Sequence, residues 1–181
     1  MLKTQRLIIF QPSEVKAWQL LKYEMRNRDF FTPWVPSRTA EWFIEQAQQY
    51  RLQSEWQEQR DQRSYRFFFA LHTDPERIIG DAGLSNIVRG AFHCAYLGYK
   101  IDEQMQGQGL MFEALTRVCE FAFRDLKLHR IEANIMPHNV KSIAVVERLG
   151  FKREGYSEKY LRINDRWEDH VRFALVNEAK G

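Results

Sequence analysis

Gln106-Gly107-Gln108-Gly109-Leu110-Met111, read as Q-G-Q-G-L-M, decides the reading of this chain. It follows an alternating stretch, Tyr96-Leu97-Gly98-Tyr99-Lys100-Ile101, and leads into Met111, Leu115, Val118 and Ala122 at helical spacing. The local order is strand, glycine turn, helix. Two glycines at such a turn let main-chain N–H groups crowd round an anion with no side chain in the way. The first helical turn adds free N–H donors and the positive end of its dipole. The turn reads as a pyrophosphate cradle. It is not a P-loop, because no Gly-Lys-Ser/Thr follows. It is not the G-x-G-x-x-G dinucleotide turn either, because it has no third glycine. Taken alone, a Gly-x-Gly reads equally well as a plain tight turn.

Outward from the turn, the chain reads as one continuous α/β unit. His129 to Met136 alternates Ile131, Ala133 and Ile135, which predicts a half-buried strand. Strand–helix–strand order implies a parallel right-handed crossover, so this strand should lie beside the one ending at Ile101. Upstream, Arg66–Leu71, Ile78–Val88 and Phe92–Ile101 read as strands, with a turn at Thr73–Glu76 and a hairpin turn at Arg89-Gly90. Gly80 and Gly83 are expected to kink the second of these. Thr4 to Phe10 reads as a first strand. Val15, Trp18, Leu21 and Met25 then mark a helix starting near Pro12-Ser13. Pro33 and Pro36 break the chain. A second helix is expected from about Thr39, with Phe43, Ala47 and Tyr50 on one face and a solvated glutamine-rich face opposite. Glu154–Ile163 and Trp167–Leu175 flank the turn Asn164-Asp165-Arg166 and close the chain as a hairpin.

The chain has 181 residues, enough for one domain with a sizeable core. With 44% hydrophobic and 28% charged residues it matches an ordinary globular protein, and no apolar run is long enough to cross a bilayer. The first residues lack the apolar core of a signal peptide, so the expected location is cytoplasmic. Cys94 and Cys119 lie in apolar-patterned segments and read as two buried thiols in a reducing compartment. A net charge of +3 is too small to argue for nucleic acid, and no direct sequence-specific nucleic-acid binding or membrane partner is expected. The five histidines show no metal-ligand spacing with the cysteines, so no metal is expected.

A second short unit follows the parallel strand: Pro137-His138-Asn139-Val140-Lys141-Ser142, a helix to Leu149, then Gly150-Phe151. Asn139 suits a helix cap and Gly150 a left-handed stop. Together, the glycine turn, "NVKS" with "ERLGF", and the opening "TQRLII" resemble the GNAT-type acetyltransferases. In that family the acetyl-CoA motif is Gln/Arg-x-x-Gly-x-Gly/Ala. Gln106 and Gly109 match it, whereas Met111 departs from the small last position.

The segments "SNIVRGAFHCAYLGYKI", "GQGLMFEALT" and "HRIEANIMPHN" are similar to the branch that acetylates ribosomal proteins. The resemblance implies a single GNAT domain over 1–181, with a mixed central sheet splayed at the CoA site and helices on both faces. It implies acetyl transfer from acetyl-CoA to the N-terminal alanine of a ribosomal protein, small-subunit protein S-five, on the assembling small subunit. For the co-substrate it implies contacts from Tyr99, Lys100, Ile101, Gln106, Gly107, Gln108, Gly109, Leu110, Met111, Asn139 and Ser142. Acetylation of a small amine such as a polyamine or antibiotic, or a non-catalytic CoA- or ribosome-binding module, are the alternative readings.

The chemistry asks for a neutral amine, a polarised carbonyl and a proton for the departing thiolate. No Cys–His or Ser–His–Asp nucleophile pattern is present, so direct attack in a ternary complex is the natural reading. An α-amine, with an ordinary pKa of about 7.7–8.0, needs less help from a base than a lysine does. The resemblance makes Ser142 the proton donor to the thiolate, although a helix-start serine serves equally as a local hydrogen-bonding residue. For the base, Glu154, Tyr156 and His93 stand as candidates beside a relayed water. Each has a bland alternative: a surface ion pair, simple packing, and a satisfied strand histidine.

Overall fold

The computed structural model describes residues 1–178. Eight strands form one sheet in the order β1-β2-β3-β4-β5-β6-β8-β7. In chain order the elements are β1 (Leu2–Lys3), β2 (Leu7–Phe10), α1 (Ala17–Arg26), α2 (Arg28–Phe31), α3 (Glu45–Arg60), β3 (Tyr65–Leu71), β4 (Gly80–Val88) and β5 (Cys94–Ile101). They continue with α4 (Leu110–Arg124), β6 (Arg130–Ile135), α5 (Val140–Arg148), β7 (Lys152–Ile163) and β8 (Arg166–Val176). Every neighbouring pair is antiparallel except β5 and β6, which run parallel across the α4 crossover as the strand–helix–strand order requires. That junction is short: only Cys94–Tyr96 pair with Arg130–Glu132, and the strands then part.

Two apolar clusters flank the sheet. The larger packs α4 and α5 through Leu110, Ala114, Leu115, Val118, Ala122 and Val146 against Leu84, Leu97, Ile131 and Ala133. The smaller packs α1–α3 through Leu20, Tyr23, Phe31 and Leu52 against Phe68 and Ile78. Alternation sorts β3 between them, Phe67 and Phe69 to the first and Phe68 to the second.

The N-terminal helices depart from the sequence reading. A short 3₁₀ turn at Pro12–Glu14 precedes α1, whose N-cap is Lys16. The face it buries is Ala17, Leu20, Tyr23 and Glu24, not the Trp18, Leu21, Met25 stripe, and Met25 is exposed. Glu24 turns inward because Arg51 and Lys100 neutralise it there, each at 2.7 Å. α3 begins only after a second 3₁₀ turn, Ala40–Phe43. Its glutamines are not all solvated: Gln48 and Gln59 are buried, with the Gln48 amide donating to the Trp42 carbonyl, whereas Tyr50 is exposed.

Candidate active site

The Q-G-Q-G turn has the backbone its glycines were expected to provide. Gly107 and Gly109 both lie at φ +73°, the left-handed region that β-branched residues avoid. Leu110 and Met111 open α4 with their side chains buried, so only their main chain faces the turn. A salt-linked strut holds the turn from below. Arg6 Nη1 donates to the Gln108 carbonyl at 2.9 Å and its Nε to Glu113 Oε2 at 2.6 Å. The Arg6 N–H and the Thr4 hydroxyl donate to the other Glu113 oxygen. A carbonyl engaged by Arg6 is not free to repel an anion above the turn. From the other side, Lys141 Nζ donates to Gln106 Oε1 at 2.7 Å, tying the start of α5 to the start of the turn.

Tyr99, Lys100 and Ile101 lie beyond the last β5–β6 pair, so the main-chain groups of β5 that face β6 have no strand partner there. Tyr99 crosses to α5: its hydroxyl accepts from Ser142 Oγ at 2.7 Å and donates to the Ser142 carbonyl at 2.9 Å. Asn139 caps α5, its Oδ1 accepting from the Ser142 N–H at 3.3 Å. Burial pushes the Tyr99 phenol well above its ordinary value, and the bond from Ser142 only partly opposes this. Tyr99 is therefore protonated at neutral pH and holds the Ser142 hydroxyl in one direction. The structure thus brings Asn139, Ser142 and Tyr99 together beside the turn.

The base candidates have other partners. Glu154 has both oxygens on the Arg130 guanidinium, and that hydrogen bond holds its carboxyl below the usual range. Arg130 also pairs with Glu132, at 2.7 Å. The exposed Tyr156 donates to Asp169 Oδ2 at 2.6 Å, which raises the phenol. His93 sits at φ +43° before β5, its carbonyl accepting from the His129 and Arg130 N–H groups. None of the three has Ser142 or Tyr99 among its partners. Cys94 and Cys119 are free and buried; burial pushes them up to about 11 and about 12, so neither is a thiolate nucleophile. Among the described residues no group of three or more His, Cys, Asp or Glu is placed to hold a metal ion.

The opposite face of the split carries charge. Lys100 points away from Ser142 and bridges Glu24 Oε1 at 2.7 Å and Asp81 Oδ2 at 3.1 Å. Arg66 pairs with Asp81 and Glu55, and Arg51 with Glu24 and Glu55. Burial alone would raise Asp81, but Lys100, Arg66 and Arg51 outweigh it and hold the carboxyl below its ordinary value. The 32–38 loop roofs this face. Trp34 packs on His138 at 5.4 Å, and Ser37 and the Thr32 carbonyl bind Asn164 at the tip of the β7–β8 hairpin.

Sequence reasoning missed the side-chain partners. Arg6 and Glu113 are 107 positions apart and share no local pattern. The Tyr99 phenol carries a link to Ser142 that no local pattern announces. The donor set suits a pyrophosphate on the turn, followed by an extended chain seeking main-chain partners along β5.

Known proteins agree with this geometry. The family model for the acetyltransferase (GNAT) domain matches residues 6–152. The Escherichia coli (strain K12) ribosomal protein uS5-alanine N-acetyltransferase is 44% identical over 175 residues, covering 97% of this chain and 90% of that protein. The ribosomal-protein-S5-alanine acetyltransferase structure from Vibrio fischeri superposes with a TM-score of 0.89 at 32% identity, covering 98% of this chain and 96% of that one. A Mycobacterium smegmatis RimJ in complex with CoA-disulfide shares the fold, with a TM-score of 0.86 at 24% identity over 98% of this chain and 88% of that one.

Proposed function

The chain belongs to the GNAT acetyltransferase family, and we propose that its acceptor is the N-terminal alanine amine of ribosomal protein uS5. It is an N-acetyltransferase that uses acetyl-CoA, and 1–181 is read as one such domain. The acceptor is the one for which the E. coli and V. fischeri relatives are named. The observation that carries the site is the Tyr99–Ser142 pair beside the glycine turn.

The co-substrate supplies an activated acetyl carbon. Transfer forms a C–N bond and breaks a C–S bond; a proton leaves the amine and one is needed at sulfur. Gly107, Gly109 and the first N–H groups of α4 hold the pyrophosphate, with Gln106 and Asn139 to either side. Ser142 holds a proton at Oγ, and Tyr99 fixes its direction. When Oγ gives its proton to sulfur, the proton leaving the amine replaces it by way of water, and buried Tyr99 stays neutral throughout. Glu154 and Tyr156 are engaged in surface pairs and are assigned no step. The amine loses its proton to water, which suffices for an α-amine near neutral pH.

The place of action proposed is the cytoplasm, on the assembling small ribosomal subunit. That reading rests on the ribosomal protein for which those relatives are named. The experiment is intact-mass analysis of small-subunit proteins, free and within subunit particles, after incubation with acetyl-CoA and the chain. A single acetyl on the N-terminal alanine of uS5 is the expected result. Preferred acetylation of a lysine or a polyamine would remove the acceptor reading and leave the acetyltransferase reading in place.

A further inference from the structure

Gly83 and Gly98 are paired residues of β4 and β5, and their surroundings differ. A Cβ on Gly83 would lie 2.8 Å from the Arg66 guanidinium carbon, so the end of that side chain would have to shift. A Cβ on Gly98 would meet no atom within 4 Å. Gly98 is also absent from the glycines with positive φ. It lies in a central strand, between buried Leu97 and half-buried Tyr99, yet is itself exposed. Glycine weakens a strand interior and marks places where another group approaches closely. Neither the backbone nor the packing of the free protein asks for it here.

Alternation along β5 says which face this space opens on. Tyr99 reaches Ser142 on α5, whereas Lys100 reaches Glu24 on α1. Gly98 therefore shares the face of Tyr96 and Lys100, opposite Ser142. The parallel register pairs Tyr96 with Glu132. Two residues on, Gly98 and Asn134 hold the corresponding positions where the strands have parted. Asn134 Nδ2 donates to the Tyr160 hydroxyl at 3.2 Å, but its Oδ1 is buried with no hydrogen-bond partner. The Tyr160 ring packs 5.5 Å from His170. The one carboxylate nearby on β6, Glu132, is neutralised by Arg130 and Arg172.

We propose that Gly98, Asn134 and Tyr160 form the seat of the acceptor amine: the space at Gly98 takes the acceptor's first residue, and Asn134 Oδ1 accepts a hydrogen bond from its amine. The proposal rests on the acetyl-transfer reading above and names the residues on the acceptor side of that site. A neutral seat serves the chemistry. An unpaired carboxylate would strongly stabilise the ammonium form, which cannot attack, whereas an amide oxygen carries no net charge and favours that form far less. The limited space beside a sheet backbone also gives a physical reason for a small first residue.

The test uses the full chain with Gly98→Ala, Gly98→Val and Asn134→Leu. Acetyl-CoA affinity is read by calorimetry, the fold by thermal melting, and kcat/KM on peptides beginning with Gly, Ala, Ser or Val. Gly98→Val is expected to lower kcat/KM for the alanine peptide by about 100-fold or more, with acetyl-CoA affinity and melting unchanged. Gly98→Ala, which open space around the residue allows to fold, should be intermediate and should hurt the alanine peptide more than the glycine peptide. Asn134→Leu should cost about 10–100-fold, chiefly in KM. A Gly98→Val chain with normal acceptor turnover, or one that loses acetyl-CoA affinity as much as turnover, overturns the seat. If the wild-type chain prefers another amine, the acceptor reading fails separately. The variants are then measured on that amine, where full activity overturns the seat and a loss sustains it.

Discussion

The two faces of the sheet are built by different rules. The α4–α5 face is apolar, and the cradle on it is built from backbone, two left-handed glycines and a helix N-terminus, beside the side chains of Asn139, Ser142 and Tyr99. The α1–α3 face holds three acids and three bases, Glu24, Glu55, Asp81, Arg51, Arg66 and Lys100, locked together under a loop and a hairpin tip. A ligand common to a whole family can be held by main chain. A variable acceptor must be met by side chains gathered from distant segments. The cradle can be disabled locally without unfolding the protein, whereas the charge cluster is tied to the stability of its face.

The largest expected effect breaks the cofactor face at one atom. Ser142→Ala removes the hydroxyl that Tyr99 orients. If that hydroxyl supplies the proton to sulfur, kcat should fall on the order of 10²–10⁴-fold while acetyl-CoA affinity changes little. Steady-state kinetics with calorimetry separates the two. A near-normal kcat would return Ser142 to a helix-start residue held by Asn139.

Next in size is Gly109→Val. Its φ of +73° puts a β-branched residue in strained backbone, and the added methyls crowd the place where a phosphate must approach. The nearest side-chain atom to a new Cβ is Arg6 Nη2 at 3.6 Å, so the fold itself has room. Acetyl-CoA affinity is expected to fall by about 10–100-fold, equivalent to the loss of one or two hydrogen bonds to a charged group. Unchanged affinity by calorimetry would show that the turn is only a turn.

The charge cluster sharpens the contrast through pH. Asp81 and Glu24 both have carboxyls held below their ordinary values; burial opposes this, and Lys100 with its arginine neighbours prevails. A depressed folded-state pKa means that the unfolded chain binds protons first. The stabilisation is therefore present above the ordinary carboxylate pKa of about 4 and is lost as pH falls through the depressed values. Melting temperature should drop steeply below pH 4, and Asp81→Asn should flatten that drop while costing about 3 kcal/mol at pH 7, because it leaves Lys100 and Arg66 short of a partner. A melting profile below pH 4 identical to that of the wild type would remove the cluster from the stability of this face.

The same difference explains what could be read from sequence. Gly107, Gly109, Asn139 and Gly150 each mark a backbone need at their own position, and the parallel β5–β6 junction follows from the strand–helix–strand order around them. The inward turn of Glu24 was not legible, because its partners Arg51 and Lys100 lie 27 and 76 positions away. Burying Gln48 and Gln59 was illegible for a related reason. A polar residue goes inside only when tertiary structure supplies a partner, as Trp42 does for Gln48, and no periodicity announces that. Asn134 and Tyr160 belong to the same class.

The smallest expected effect tests the side of the comparison where side chains act from the surface. Glu154 is a carboxylate in a family that needs a proton acceptor, so its position invites the role of base. Its surroundings argue against it. Arg130 binds both of its oxygens, and that contact depresses its pKa, which weakens it as a base even though it is ionised. The same guanidinium also holds Glu132, which belongs to the last β5–β6 pair. The side chain is 44% exposed, so water already shares its proton traffic. Glu154→Gln keeps the shape and can still accept one hydrogen bond from Arg130. With an α-amine acceptor it should change kcat by no more than about threefold at neutral pH, within the range of a surface ion pair. A fall of 100-fold, with an acidic limb of the pH–rate profile that vanishes in the variant, would make Glu154 the base and move proton removal from water to the hairpin.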